Sequence, residues 1–180
     1  MIFVAELGDK SQLMAMAFAT RYRAWPVIAA ITAATTVVHL LSVALGAGFS
    51  EVLPTRWVNL VAALAFFGFA IWTLRGDALS DDERRRAQQT TRSAFLTVGI
   101  AFFLAELGDK TMLATITLAT QHGWIGVWIG STLGMVAADA LAIVIGRQLG
   151  TRLPESAVRY GAAALFTLFG GWLLIEALAP

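Results

Sequence analysis

The chain has 180 residues, 58% of them hydrophobic and only 14% charged, with a formal net charge of +1 and no cysteine. A soluble domain averages about 25% charged and about 45–50% apolar residues, so this composition excludes an ordinary soluble domain. The missing cysteines exclude disulfides and thiolate metal sites, and no nucleic-acid partner is expected.

The apolar residues fall in six runs, at about 1–20, 25–49, 57–75, 94–120, 124–149 and 157–178. Each approaches or exceeds the roughly 20 residues that a helix needs to cross the hydrocarbon core of a bilayer. A transmembrane barrel would instead show short alternating segments. The expectation is an all-α polytopic membrane protein with six transmembrane helices and the lipid bilayer as its surroundings.

The first run meets Glu6-Leu7-Gly8-Asp9-Lys10-Ser11 and ends at Arg21-Tyr22-Arg23. Pro26 suits the first turn of a second helix, where its missing N–H is not needed. That helix passes His39 and reaches Gly46-Ala47-Gly48, and a short loop with Pro54 leads to a third that ends near Trp72 and Arg75. Residues 77–93, which include Asp81, Asp82, Glu83, Arg84, Arg85 and Arg86, form the sustained polar segment and read as a solvated linker. The fourth run then meets Glu106-Leu107-Gly108-Asp109-Lys110-Thr111, the fifth carries Asp139 far from either end, and the sixth closes the chain.

The pattern therefore returns with one offset of a hundred positions. Ala19-Thr20 matches Ala119-Thr120, Gly46 matches Gly146, Leu53-Pro54 matches Leu153-Pro154, and Trp72 matches Trp172. Each half, 1–76 and 94–180, holds three helices, and an odd number makes the second half enter the membrane from the opposite side. Inverted repeats of this kind place a transporter's substrate site near the midplane where the halves meet.

Orientation follows from arginine placement. Arg21 and Arg23 follow the first run, Arg75, Arg84, Arg85, Arg86 and Arg92 surround the central link, and Arg147, Arg152 and Arg159 flank the link between the fifth and sixth runs; the other loops hold Arg56 alone. By the positive-inside rule the first set, with the 77–93 linker, is cytoplasmic. Both termini are then outside the cytoplasm, in a multi-pass protein of the cell inner (plasma) membrane. Only five residues precede Glu6 where twelve uncharged residues, Ala94 to Ala105, precede Glu106. From this mismatch the natural start is expected upstream of Met1.

The two motifs carry the chemistry. An acidic or basic side chain at mid-bilayer costs about 2.5–3.5 kcal/mol on the insertion scale, and such residues are by default functional. On a continuous helix Glu6, Asp9 and Lys10 would share one face, as would Glu106, Asp109 and Lys110. Ser11 and Thr111 add hydroxyl oxygens, and hard cations prefer oxygen ligands. Four carboxylates less two lysines leave two surplus negative charges, which suits a divalent cation. Local Glu–Lys pairs that merely stabilise packing are the plainer alternative, weakened because buried ion pairs often contribute little stability. Gln12 has no polar counterpart, since position 112 is Met112. His39 and Asp139 occupy matching positions and join the supporting set, Asp139 as a ligand or proton carrier and His39 as either a site group or a packing residue.

The paired Glu-x-Gly-Asp-Lys-(Ser/Thr) motifs, one opening each half, resemble the signature of the GDT family of membrane cation transporters. The resemblance implies export of Mn²⁺, and in some members Ca²⁺, from the cytosol in exchange for protons. Glu6, Asp9, Glu106 and Asp109 would then bind the metal and exchange protons, with Lys10, Ser11, Lys110 and Thr111 in support. The ion is the transported substrate, and no cofactor is expected. A small organic solute exporter and an intramembrane metal-dependent hydrolase are the competing readings; the second is disfavoured by one membrane-embedded histidine and no recognisable Ser/His spacing.

Overall fold

The computed structural model describes residues 1–52, 54–75, 81–82, 93–149 and 155–178. Eight helices longer than one turn are found among them: α1 (Ile2–Glu6), α2 (Lys10–Arg21), α3 (Ala24–Val52), α4 (Thr55–Arg75), α5 (Ala94–Glu106), α6 (Lys110–Gln121), α7 (Trp124–Leu149) and α8 (Glu155–Leu178). No strand occurs among the described residues. Of the expected linker 77–93 only Asp81, Asp82 and Ser93 are described, and Leu53 and Leu153-Pro154 also lie outside the described residues.

Four helical stretches are long and apolar enough to cross a membrane: Ala24–Phe49, Thr55–Arg75, Trp124–Val144 and Tyr160–Leu178. Their outer faces carry exposed Leu40, Val61, Leu64, Leu133, Leu168 and Ile175, while alanines and small polar residues fill the faces turned inward. Helices that are apolar all round need lipid on the outside, so the chain is a multi-pass membrane protein.

The two motif-bearing runs depart from the expectation of continuous helices. Each is broken: α1 stops at Glu6 and α2 starts at Lys10, and α5 stops at Glu106 with α6 starting at Lys110. The cause is local. Gly8 and Gly108 adopt positive φ, 77° and 79°, a conformation that other residues enter only at a cost, and Asp9 and Asp109 then serve as extended N-cap residues for the next helix. The single charged face expected of each motif does not form.

Helices pack mainly across the halves rather than within them. The α3 helix packs against α5, α6 and α7, and α7 packs against α1, α2 and α3, while α4 pairs with α8. Residues at the hundred-residue offset meet each other: Phe66 faces Phe166 at a ring-centroid distance of 6.0 Å, flanked by Phe69 and Phe169, and the Thr35 hydroxyl points to the Met135 sulfur at 3.6 Å. Tilted and edge-on rings at such distances add about 0.5–1.5 kcal/mol per pair to their burial. Two glycines permit backbone approach. A side chain at Gly46 would overlap the Ile116 carbonyl oxygen, and one at Gly134 would lie 3.0 Å from the Phe3 nitrogen. These contacts bring α6 onto α3 and α1 onto α7, which carries the broken segments into the middle of the bundle.

Candidate metal centre

The backbone turn of each elbow is built the same way. The Asp9 N–H donates to the Glu6 carbonyl at 3.1 Å and the Asp109 N–H to the Glu106 carbonyl at 3.2 Å, closing a tight turn over Leu7-Gly8 and Leu107-Gly108. The Asp109 Oδ2 accepts from the Thr111 N–H at 3.4 Å, as expected of an N-cap carboxylate. The glycine N–H is held by the side chain four residues on: Gln12 Oε1 accepts it at 2.7 Å in the first elbow, and Met112 Sδ accepts it at 3.2 Å in the second. Two helix N-termini, with their partial positive charge, are thus brought to the carboxylates that begin them.

Charge pairing runs between the elbows. The Lys10 Nζ reaches Asp109 Oδ1 at 3.0 Å, and Lys110 Nζ pairs with Asp9 Oδ1. The local Glu–Lys pairs weighed from sequence are replaced by reciprocal Lys–Asp pairs. The Glu6 carboxylate is claimed by hydroxyls from both halves: Ser11 Oγ donates to Oε2 at 2.7 Å, and Thr111 Oγ1 donates to Oε1. Ligand oxygens of Glu6, Asp9 and Asp109 all lie within 4.8 Å of one another, and all three side chains are buried. Oxygens on opposite sides of a bound Mg²⁺ or Ca²⁺ lie about 4.0–5.2 Å apart, so the cluster has the dimensions of a single-cation site.

Glu106 is buried close to this group but outside it, and neither of its oxygens has a hydrogen-bond partner. The four motif carboxylates are therefore gathered in one place with three forming the tight cluster. Gln12 is used structurally at both ends, since its Nε2 donates to the Ala138 carbonyl at 2.7 Å. Asp139, one residue on, is buried with both oxygens unpartnered. His39 is also buried, but its Nδ1 lies 3.3 Å from the Thr132 hydroxyl of α7 and it does not join the acidic group. His122 is exposed, beside the Leu118 carbonyl.

Two features were beyond sequence reasoning: the exchange of lysines between motifs and the convergence of both hydroxyls on one glutamate. The motif itself held a signal for the break, since glycine followed by aspartate is a helix stop followed by a helix start.

Carboxylates, lysines and hydroxyls are thus gathered inside a bundle of helices whose outer faces are apolar. The chain belongs to the GDT1 family of divalent cation/proton antiporters, whose family model matches residues 1–81 and 94–180. This is a family of transporters rather than of enzymes. A proposed manganese exporter of Vibrio cholerae is 37% identical over 93% of this chain and 83% of its own length. A GDT1-like protein of Synechocystis is 31% identical over 94% of this chain and 90% of its own, and GDT1-like protein 5 of Arabidopsis thaliana is 25% identical over 94% and 90%. No solved structure matches the chain at a significant level.

Proposed function

We propose that the protein exports Mn²⁺ from the cytosol in exchange for protons at a single site formed by both motifs. The observation that carries this reading is the buried cluster of Glu6, Asp9 and Asp109, bracketed by Lys10 and Lys110. Glu106 is the fourth ligand or proton acceptor, and Ser11 and Thr111 orient Glu6. The likeness to a proposed manganese exporter supports Mn²⁺ over Ca²⁺ as the principal ion. No resident cofactor takes part.

The architecture in this reading is six crossings in two inverted halves, with α1–α2 and α5–α6 each forming one broken crossing. Two pairs of contacts support it. The α5–α6 segment follows α3 from Gly99 beside Ala30 to Ile116 beside Gly46, a stretch of α3 about 24 Å long at about 1.5 Å per residue. The α1–α2 segment follows α7 in the same parallel sense, from Phe3 at Gly134 to Gln12 at Ala138. In a chain of alternating crossings the second and fourth run parallel, as do the first and fifth. Arginine placement puts the central link in the cytoplasm and both termini outside a plasma membrane.

Broken helices meeting at mid-depth also give the mechanism. The cation and protons compete for the same carboxylate oxygens, so only one of them occupies the site at a time. The cation enters from the cytosol, displaces protons, and is neutralised by the charge that the two lysines leave over. Rocking of the halves opens the elbows to the other side, where protons displace the cation. The inward proton gradient then drives export. In vesicles of purified protein, Mn²⁺ flux should rise with an imposed pH gradient and exceed Ca²⁺ flux, and Asp109→Asn should abolish it. Flux indifferent to the gradient would exclude proton coupling.

A further inference from the structure

We infer that Asp139 of α7 is a further ligand of the transported cation, reached from the Glu6 side of the site; this rests on the antiport reading above. Several independent features of the fold bring it there. The α7 helix packs against both α1 and α2, and the missing side chain at Gly134 lets the α1 backbone lie close beside it. The Gln12 amide holds the Ala138 carbonyl at 2.7 Å, fixing the turn of α7 that carries Asp139 against the first turn of α2. At that position the Asp139 side chain faces Glu6 and Ser11.

The side chain has no other occupation. It is 1% exposed, and neither carboxylate oxygen has a hydrogen bond of its own, because the nearby Ser11 hydroxyl gives its one proton to Glu6. A buried polar group of this kind is normally satisfied, and a carboxylate in the bilayer is normally paired or part of an ion pathway. Its counterpart at position 39 is a histidine engaged with the Thr132 hydroxyl, so α3 offers the site no equivalent acid. Asp139 is therefore a ligand that comes from one half only. Ser11, which donates to Glu6 Oε2 at 2.7 Å, lies between the two carboxylates and supplies a hydroxyl oxygen to the same ion.

The test uses the full chain in lipid nanodiscs, with Mn²⁺ and Ca²⁺ each titrated by calorimetry. Asp139→Asn removes charge without removing any hydrogen bond, so the protein is expected to fold, with Mn²⁺ affinity reduced at least tenfold. Asp139→His replaces a carboxylate by a nitrogen ligand, which Ca²⁺ with its all-oxygen ligand set does not take and Mn²⁺, a transition metal, can. It should keep Mn²⁺ affinity within about threefold of the wild type while weakening Ca²⁺ at least tenfold. A packing role alone would leave the Mn²⁺/Ca²⁺ ratio unmoved. Wild-type affinities for both ions in Asp139→Asn, with Asp109→Asn inactive, would overturn the Asp139 assignment and spare the antiport reading. A wild-type chain that binds neither ion would overturn both.

Discussion

The two motifs are nearly identical in sequence and unequal in their surroundings. Glu6 receives hydroxyls from both halves, whereas Glu106, equally buried, receives none. The first elbow is tied by Gln12 to Gly8 and to Ala138 of α7; the second is held by the Met112 sulfur, a weak acceptor with nothing to donate. One half thus presents a fixed glutamate and the other a glutamate with free oxygens. In a carrier that must bind and then release its ion, such inequality separates a scaffold side from an adaptable side.

The largest effect is expected where both halves share a charge. Asp9→Asn should lower Mn²⁺ transport at least a hundredfold, because it removes a cluster carboxylate and the Asp9 partner of Lys110. Removing one member of a buried pair costs about 3–5 kcal/mol. Adding Lys110→Met should restore the thermal midpoint without restoring transport. Recovery of transport in the double variant would show that the charges serve only folding.

The glutamates sharpen the contrast. In the absence of cation, Glu6→Gln should destabilise the protein by roughly 1–3 kcal/mol, since hydrogen bonds in membrane bundles average about 0.6 and reach about 1.7 kcal/mol each and charge-assisted ones are the stronger. Glu106→Gln has no such bond to lose and should leave stability within about 0.5 kcal/mol of the wild type or raise it. Thermal unfolding of both variants checks this, and equal destabilisation would remove the distinction between the halves. Both variants should bind Mn²⁺ more weakly.

The smallest effect belongs to the latch. Gln12→Met should lower stability by roughly 0.6–1.7 kcal/mol and speed amide exchange at Gly8, making the first elbow like the second. Met112→Gln should do neither. Unchanged exchange at Gly8 in Gln12→Met would mean that the tie to Ala138 does not hold the elbow.

Much of this was legible in the sequence. Composition and run lengths point to a membrane bundle, and the hundred-residue offset pairs residues that meet in space, Phe66 with Phe166 and Thr35 with Met135. The breaks were legible only as glycines that free a helix to open or a second backbone to approach, since apolar runs continue on both sides; the positive φ of Gly8 and Gly108 turns each into a full break. Partner choice was not legible either. Glu6 and Lys10 are at ideal helical spacing, so a local pair was the natural expectation, and the elbow that abolishes this spacing sends each lysine to the opposite aspartate. Asp139 stood out as an acid in mid-helix, but its place beside Glu6 and Ser11 depends on which helices pack on α7.

The central claim is that two motifs make one site, and the stoichiometry of cation binding tests it most directly. Calorimetric titration of the purified full chain with Mn²⁺ should give one ion per chain, and substitution in either motif, Asp9→Asn or Asp109→Asn, should remove that single binding event. Two ions per chain, with one surviving each substitution, would show that each half binds its own and would contradict the shared site.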